Sequence, residues 1–486
     1  MLMLSILFPV LLGLGILTVR RLSRNALMAH SGLGLVLTAA MGVWAAFGAE
    51  GPLMLFSLGK NLELCFQVDG MGRLFALLVD GVWLLSGIYA MEYMKHEQEE
   101  KRFFGFYVLV HGILHGLVFA GNMVTFYLFY ELMTLLSVPL ILHNRSRDAI
   151  KGGLKYLFYS LFGAYLVLFG LFFLNRYALS LAFLPGGALD MAAVAGNEGL
   201  MLVVAFSMLL GFSVKAGMFP LHAWLPTAHP VAPAPASAVM SAIIVKMGVL
   251  GMIRVVYYQI GPDFLRGSWV QTVWMSLALV TVFLGSMLAY REKVMKKRFA
   301  YSTVSQASYI LFGLSLLQPT AMTGALLHVV FHAVIKSCIF LSAGAIIYKT
   351  HKTRVEDLRG IGRQMPVTIW CYTFAAAALI GIPPASGFIS KWYLATGALD
   401  SGTGIFSWLG PVVLLTSALL TAGYLLPITV QGFLPGADFD DSALEKKEPC
   451  LTMLLPLLIL AALAVLMGVF PNFLTDSIRV LADTVL

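Results

Sequence analysis

Apolar runs long enough to form a bilayer-crossing helix, about 20 residues each, recur along nearly the whole chain, separated by short polar joints. Inside hydrocarbon, only helices and closed barrels satisfy their own backbone groups. Runs of this length therefore restrict the chain to a polytopic helical membrane protein. Composition agrees. Of 486 residues, 59% are hydrophobic and 12% charged, about half the roughly 25% charged share of soluble domains. One large soluble core would need far more surface charge to stay in solution.

Fourteen spans are read, near 2–19, 27–47, 70–91, 103–119, 121–142, 156–175, 200–217, 235–259, 268–290, 299–317, 321–347, 365–396, 405–431 and 449–470. The third is weakened by Asp69, Arg73 and Asp80. The seventh and twelfth run into proline-rich stretches that contain polar residues. The fourth and fifth nearly fuse at Gly121-Asn122, and the even count requires a turn there. The apolar start has the length of a signal peptide, but its charges follow the apolar stretch and no small-residue cleavage pattern comes after. It is read as a retained first span.

Loop charge sets the expected orientation. Arg20, Arg21, Arg24, Lys95, Lys101, Arg102, Arg145, Arg147, Lys151 and Lys155 fall in odd-numbered loops. So do the cluster from Arg291 to Arg298, the group from Lys349 to Arg363, and Lys446 and Lys447. The even-numbered loops hold little beyond Lys60 and Arg266. Positive charge marks the cytoplasmic side, so both termini are expected on the outer side of a cell (cytoplasmic) membrane. Topology thereby accounts for the net charge of +8, and no nucleic-acid partner is needed. Long solvated loops are expected from Pro185, outside, and from Phe433, in the cytoplasm. Cys65, Cys338, Cys371 and Cys450 form no CxxC pair, so neither an iron–sulfur nor a zinc site is expected. No dinucleotide fingerprint is present, and no cofactor is expected.

Ionisable residues inside spans are costly in hydrocarbon and mark functional candidates. They are Glu131, Lys215, Lys246, His328, His332, Lys336 and Lys391. Glu131 lies too deep in its span for a short carboxylate to reach water. It is read as a functional carboxylate, or else as half of a structural pair with a buried lysine. Lys215 stands where KAGMFPLHAWLPTAHP breaks a helix, and a snorkelling lysine is the alternative. His222 and His229 follow and are expected to link it to water. Lys246 has apolar flanks on both sides, whereas Arg254 is read as structural. His328, His332 and Lys336, at i, i+4 and i+8, share one helix face and make a candidate proton relay. Metal binding and satisfied core histidines are the weaker readings. His111 and His115 repeat that spacing beside glycines, with function and packing evenly balanced. Lys391 follows the prolines of GIPPASGFIS, where an opened helix and a cation suit an ion site.

The segments ELMTLLSVPLI, KAGMFPLHAWLPTAHPVAPAPASAVMSAIIVKMGVLGMIR, HVVFHAVIKSCIFLSAGAI and GIPPASGFISKW resemble the antiporter-like subunits of respiratory complex I. That family also includes the D-type component of Mrp cation/proton antiporters and the large membrane subunits of energy-converting hydrogenases. The likeness runs over roughly residues 65–430. It implies an all-α fold of about 14 transmembrane helices, with two inverted five-helix repeats and broken helices 7 and 12. The implied division is helices 1–3 in 1–100, a first repeat in 101–262, a second in 263–432, and a loop plus helix 14 in 433–486. Carried over by motif, Glu131 corresponds to the carboxylate of helix 5, Lys215 to its partner in helix 7, and Lys246 to the lysine of helix 8. His328, His332 and Lys336 correspond to the linking region of helix 11, and Lys391 to the acceptor of helix 12. A lysine there is similar to the Mrp D and quinone-proximal types, whereas LHAWLP looks like the M type. A long lateral helix of the L type is not expected.

The resulting expectation is a proton-translocating subunit with no redox site of its own, inside a larger ion-pumping complex. Expected partners are homologous antiporter-like subunits, small membrane subunits, a redox module, the lipid bilayer and H+, with Na+ under an Mrp-type alternative. A non-conducting structural subunit is a second reading, and a solute transporter working alone is a third, disfavoured because no solute-sized polar cluster is evident.

Overall fold

The computed structural model describes residues 1–49, 51–57, 59, 62–440 and 444–486. Lys60 and residues 441–443 of the Phe433 loop, both used above, lie outside the described residues. Leu2–Thr18 (α1) and Arg24–Gly48 (α2) open the chain, followed by a β-hairpin of Leu53–Ser57 (β1) and Glu63–Phe66 (β2). Next come Gly70–Tyr93 (α3), Glu100–Val118 (α4), Met123–Ile141 (α5) and Arg147–Tyr177 (α6). Glu198–Ala216 (α7), Leu225–Val231 (α8) and Ala234–Ile260 (α9) follow. Trp269–Arg291 (α10), Met295–Ser315 (α11) and Pro319–Thr350 (α12) lead into Pro366–Ile380 (α13) and Ser386–Leu399 (α14). Ile405–Phe433 (α15), Leu451–Val469 (α16) and Asn472–Val485 (α17) complete the chain. Among the described residues, 10 helices are long and apolar enough to cross a membrane. The hairpin aside, the chain is an all-α bundle, largely embedded in the membrane.

Several helices start where a polar side chain can satisfy a free N–H group. Ser23, Asp69, Asn122, Ser146, Ser268 and Gln318 each accept a backbone N–H at the head of their helix. The near-fusion at Gly121-Asn122 is a turn. Asn122 caps α5, and the hairpin braces the joint, with Gln67 N–H donating to the Phe119 carbonyl (2.8 Å) and Gly121 N–H to the Cys65 carbonyl (2.9 Å). That bracing is the local reason a strand pair survives here. The antiparallel ladder sets Leu53 opposite Phe66, and Phe66 makes a further antiparallel bridge to Ala120 in the α4–α5 joint.

Hydrophobicity on every side of a helix signals a buried helix. The most apolar windows of α9 and α12 are 100% and 94% buried, against 39% for α2, α6 and α16. The helix of Lys246 and the helix of His328, His332 and Lys336 thus lie at the centre. The sequence reading placed no element after its last span, near 449–470. After the α16 span, Asn472–Val485 forms an amphipathic helix that buries Thr475, Ile478, Ala482 and Val485 and leaves Phe473 and Val480 exposed.

Both expected helix breaks are present. α7 ends at Gly217 (φ 76°) and α13 at Gly381 (φ 94°), left-handed positions that suit glycine. Beyond the second break, α14 starts hard against α13: a Cβ on Gly387 would lie 1.9 Å from the Ala378 carbonyl oxygen. Backbone cannot give way there as a flexible side chain could. Gly387→Ala is expected to destabilise the fold by about 2–3 kcal/mol, seen as a lower thermal-unfolding midpoint of the detergent-purified chain.

Candidate functional site

Two groups of buried polar side chains occupy the core. In the first, Lys215 sits in the last turn of α7 with no solvent exposure. Its Nζ donates to Tyr156 Oη (2.5 Å) and Ser160 Oγ (2.9 Å) on α6, and lies 3.9 Å from the Tyr156 ring centroid. Tyr156 thereby donates its own hydroxyl proton to Ser137 Oγ (2.8 Å), and Ser137 donates to the Thr134 carbonyl (3.1 Å). This donor chain ends on α5, one turn from Glu131. Glu131 is partly buried, its Oε1 has no hydrogen-bond partner among the described residues, and its charge and that of Lys215 act on each other. The expected Glu131–Lys215 relation is therefore electrostatic, with hydroxyls between, rather than a direct ion pair.

The break beside Lys215 is held by borrowed donors and acceptors. Trp224 Nε1 donates to the Val214 carbonyl (2.7 Å), and Phe219 N–H to Thr281 Oγ1 (3.0 Å). His222 stands partly buried beside Phe219, whereas His229 is fully buried and stacked on Phe340. Among the described residues, neither nitrogen of His229 has a hydrogen-bond partner.

The second group is centred on Lys246. Residues Met240–Ile244 of α9 wind as a π-helix, a form common at functional sites. Lys246 Nζ donates to the Ser241 carbonyl within this stretch (2.8 Å) and shares a hydrogen bond with His332 Nδ1. His332 stacks on His328, with ring centroids 5.7 Å apart, and His328 Nδ1 meets Ser390 Oγ (2.9 Å) on α14. Among the described residues, Nε2 of each of these two histidines has no partner. Tyr309 lies between His328 and Lys391, stacked on the first at 5.5 Å and under the ammonium of the second at 5.2 Å. Lys391 Nζ donates to the Leu379 and Ile380 carbonyls (2.6 and 2.8 Å), the free end of α13, where a cation is stabilised. Lys336, fully buried, donates instead to the Phe299 carbonyl (3.1 Å).

Lys246, His332, His328 and Lys391 thus form one line, with Lys336 beside it. Glu131 and Lys215 form a separate pair. The two groups approach at Gly248, where a Cβ would come within 2.7 Å of Lys215 Cβ. Among the described residues, no hydrogen bond joins Lys215 to Lys246.

Two further polar pairings escaped the sequence reading. Arg254, read there as structural, makes a two-point ion pair with Asp69, with Nη2 to Oδ1 at 2.9 Å, and is flanked by Phe183 and Tyr258. Asp80 Oδ1 meets both His111 Nε2 and His115 Nε2 at 2.9 Å. The available signal was the presence of Asp69 and Asp80 within or beside an apolar run, since a buried charge requires a partner.

Residues 120–421 match the family model described as NADH:quinone oxidoreductase/Mrp antiporter, TM. Residues 55–104 match that of NADH-ubiquinone oxidoreductase (complex I), chain 5 N-terminus. The chain is 31% identical over 435 residues to NADH-quinone oxidoreductase subunit N of Desulforudis audaxviator, covering 85% of this chain and 83% of that one. It is 30% identical over 438 residues to hydrogenase-4 component B of Escherichia coli, covering 86% of this chain but only 64% of that one. A chain of the Mrp complex from Dietzia sp. superposes with a TM-score of 0.82 over 100% of this chain and 97% of that one, at 20% identity. At that identity the likeness speaks for the fold alone.

Proposed function

The chain belongs to the NADH:quinone oxidoreductase/Mrp antiporter family of membrane subunits, and from that premise we propose that it translocates protons along its buried line of lysines and histidines. The observation carrying this reading is the Lys246–His332–His328 arrangement in two deeply buried helices, α9 and α12. A lysine bonded to an imidazole nitrogen can exchange a proton with it without crossing lipid. The role of each group follows from what it touches. Glu131 biases the charge on Lys215, and Lys215 is held by hydroxyls that stabilise either protonation state. Ser390 donates to the Gly387 carbonyl (3.2 Å), so it accepts from His328 Nδ1–H and leaves His328 Nε2 as an acceptor. Rings 5.7 Å apart cannot bond directly, so transfer between His332 and His328 needs an intervening water. Lys391, at the α13–α14 break, is the terminal acceptor, and Lys336 lies close enough for the charge of Lys246 to act on it.

In this reading the chain has fourteen spans, both termini outside, and two inverted repeats in 101–262 and 263–432. Residues 1–100 precede the repeats and 433–486 follow them. The glycine-ended breaks of α7 and α13, one in each half, support that symmetry. Other antiporter-like and small membrane subunits are its partners. A redox module supplies the energy in a complex I- or hydrogenase-like assembly, as the likeness to subunit N and component B suggests. Exchange for Na+ would replace that source in an Mrp-like one.

Proton flux into vesicles containing the purified chain with its copurifying subunits tests the reading. Glu131→Gln keeps the shape and removes the charge, and is expected to lower flux by more than about tenfold. Unchanged flux would leave Glu131 outside the pathway and favour a non-conducting subunit. A sodium gradient applied across the same vesicles separates the redox-driven and Na+-exchanging forms.

A further inference from the structure

The cluster of Asp80, His111 and His115 lies among α1 to α4, apart from the line just described. All three side chains are buried, and their ligand atoms fall within 4.8 Å of one another. Hydrogen-bond geometry restricts the protons they can carry. His115 Nδ1 meets the Ser5 carbonyl of α1 at 3.0 Å. A carbonyl only accepts, so Nδ1 must carry a hydrogen. In a neutral imidazole, Nε2 would then be bare, and it would present a lone pair to Asp80 Oδ1 at 2.9 Å. Two lone pairs at that distance repel, so a proton has to lie between them, and the imidazole, a stronger base than a carboxylate, is the group that holds it. His111 imposes no such demand, since its Nδ1 is unpartnered and its Nε2–H can donate to the same oxygen in the neutral form.

We propose that the cluster is a second proton-binding site, holding one proton as a buried His115 imidazolium–Asp80 carboxylate pair with neutral His111 as second donor. Room for it comes from α2, where a Cβ on Gly42 would lie 2.3 Å from Asp80 Oδ2 and 2.7 Å from the His115 ring. Ser5 from α1 supplies the carbonyl, and Trp83 of α3 stacks on His111. The elements packed on α3 and α4 carry Arg24, His30, Glu131, Lys246, Arg254 and the α12 cations, and among the described residues none of these is hydrogen-bonded to or ion-paired with the cluster, whose three side chains pair with one another. A buried charge needs both a partner and satisfied hydrogen bonds, and the imidazolium has both. A metal ion would also neutralise the oxygen, but hydrogen-bond spacing around one carboxylate oxygen suits a shared proton.

The test needs no transport activity, so its result is independent of the proposed translocation. Solid-state NMR is recorded at neutral pH on the full chain in lipid vesicles, with heavy nitrogen in the histidine rings and heavy carbon in the aspartate carboxyls. An imidazolium ring dipolar-coupled to an ionised carboxylate is expected. Among the described residues, Asp80 is the only aspartate hydrogen-bonded to histidine, so the wild-type spectrum suffices even if variants fail to fold. The coupled signal is expected to vanish in His115→Gln and to persist in His111→Gln. A wild-type chain whose Asp80-coupled rings are all neutral would overturn the proposal. So would a metal ion bound at one per chain by elemental analysis, released when Asp80 is changed to asparagine.

Discussion

Replacing Lys246 by alanine is expected to lower proton flux on the order of a hundredfold, the scale on which a positioned proton-transfer group contributes. Lys246 sits where the Ser241 carbonyl, exposed by the π-helical turn, and the His332 ring converge on one ammonium group. Among the described residues, Lys246 is the only side chain of α9 hydrogen-bonded to an α12 histidine, and alanine removes that bond. The more discriminating change is Lys246→Arg. A guanidinium keeps the charge and the hydrogen bonds but never releases its proton in a protein. If Lys246 serves only to hold helices together, arginine restores function. If it hands on a proton, arginine fails about as badly as alanine. Flux in reconstituted vesicles, with assembly of the complex checked in parallel, distinguishes the two outcomes.

Asp69→Asn is expected to destabilise the fold by about 3–5 kcal/mol, the cost of stranding one half of a buried ion pair. The partners are unequally placed: the Arg254 side chain is 1% exposed and that of Asp69 28%. Asp69 keeps some contact with water if Arg254 is lost, so Arg254→Met is expected to cost less. Without Asp69, a permanently charged guanidinium remains between Phe183 and Tyr258 with no counter-charge. Asparagine still accepts the Gly72 N–H that caps α3 (2.7 Å), so loss of the cap does not confuse the comparison. The double variant should recover most of the stability. A double-mutant cycle followed by thermal unfolding in detergent reads the coupling, and additive losses would mean the pair is not a unit.

Much of the architecture was legible from residue order. Apolar run length marks helices because a membrane imposes it. Gly217 and Gly381 beside prolines mark the breaks because few other residues tolerate those backbone angles. The spacing of His328, His332 and Lys336 places them on one face because 3.6 residues make a turn. The β-hairpin was less visible: LMLFS and ELCF are short apolar runs of either type, and only the α4–α5 joint that they brace makes them strands. The α17 helix is amphipathic in its own sequence, yet its apolar run is too short to register as a span.

Partnerships were not legible. Arg254 and Asp69 lie 185 residues apart, and His115 lies 35 from Asp80. Residue order established that buried ionisable groups existed, which spans held them, and which helices would break. Tertiary packing alone decided that Lys246 meets His332, that Lys336 turns to a carbonyl, that Lys391 closes the end of α13, and that Lys215 reaches hydroxyls before Glu131. The reason is physical: a helix apolar on every side carries no hydrophobic stripe to announce which face meets which neighbour. That choice is made by side-chain shape, by glycines that let backbones approach, and by the need of each buried charge for a partner.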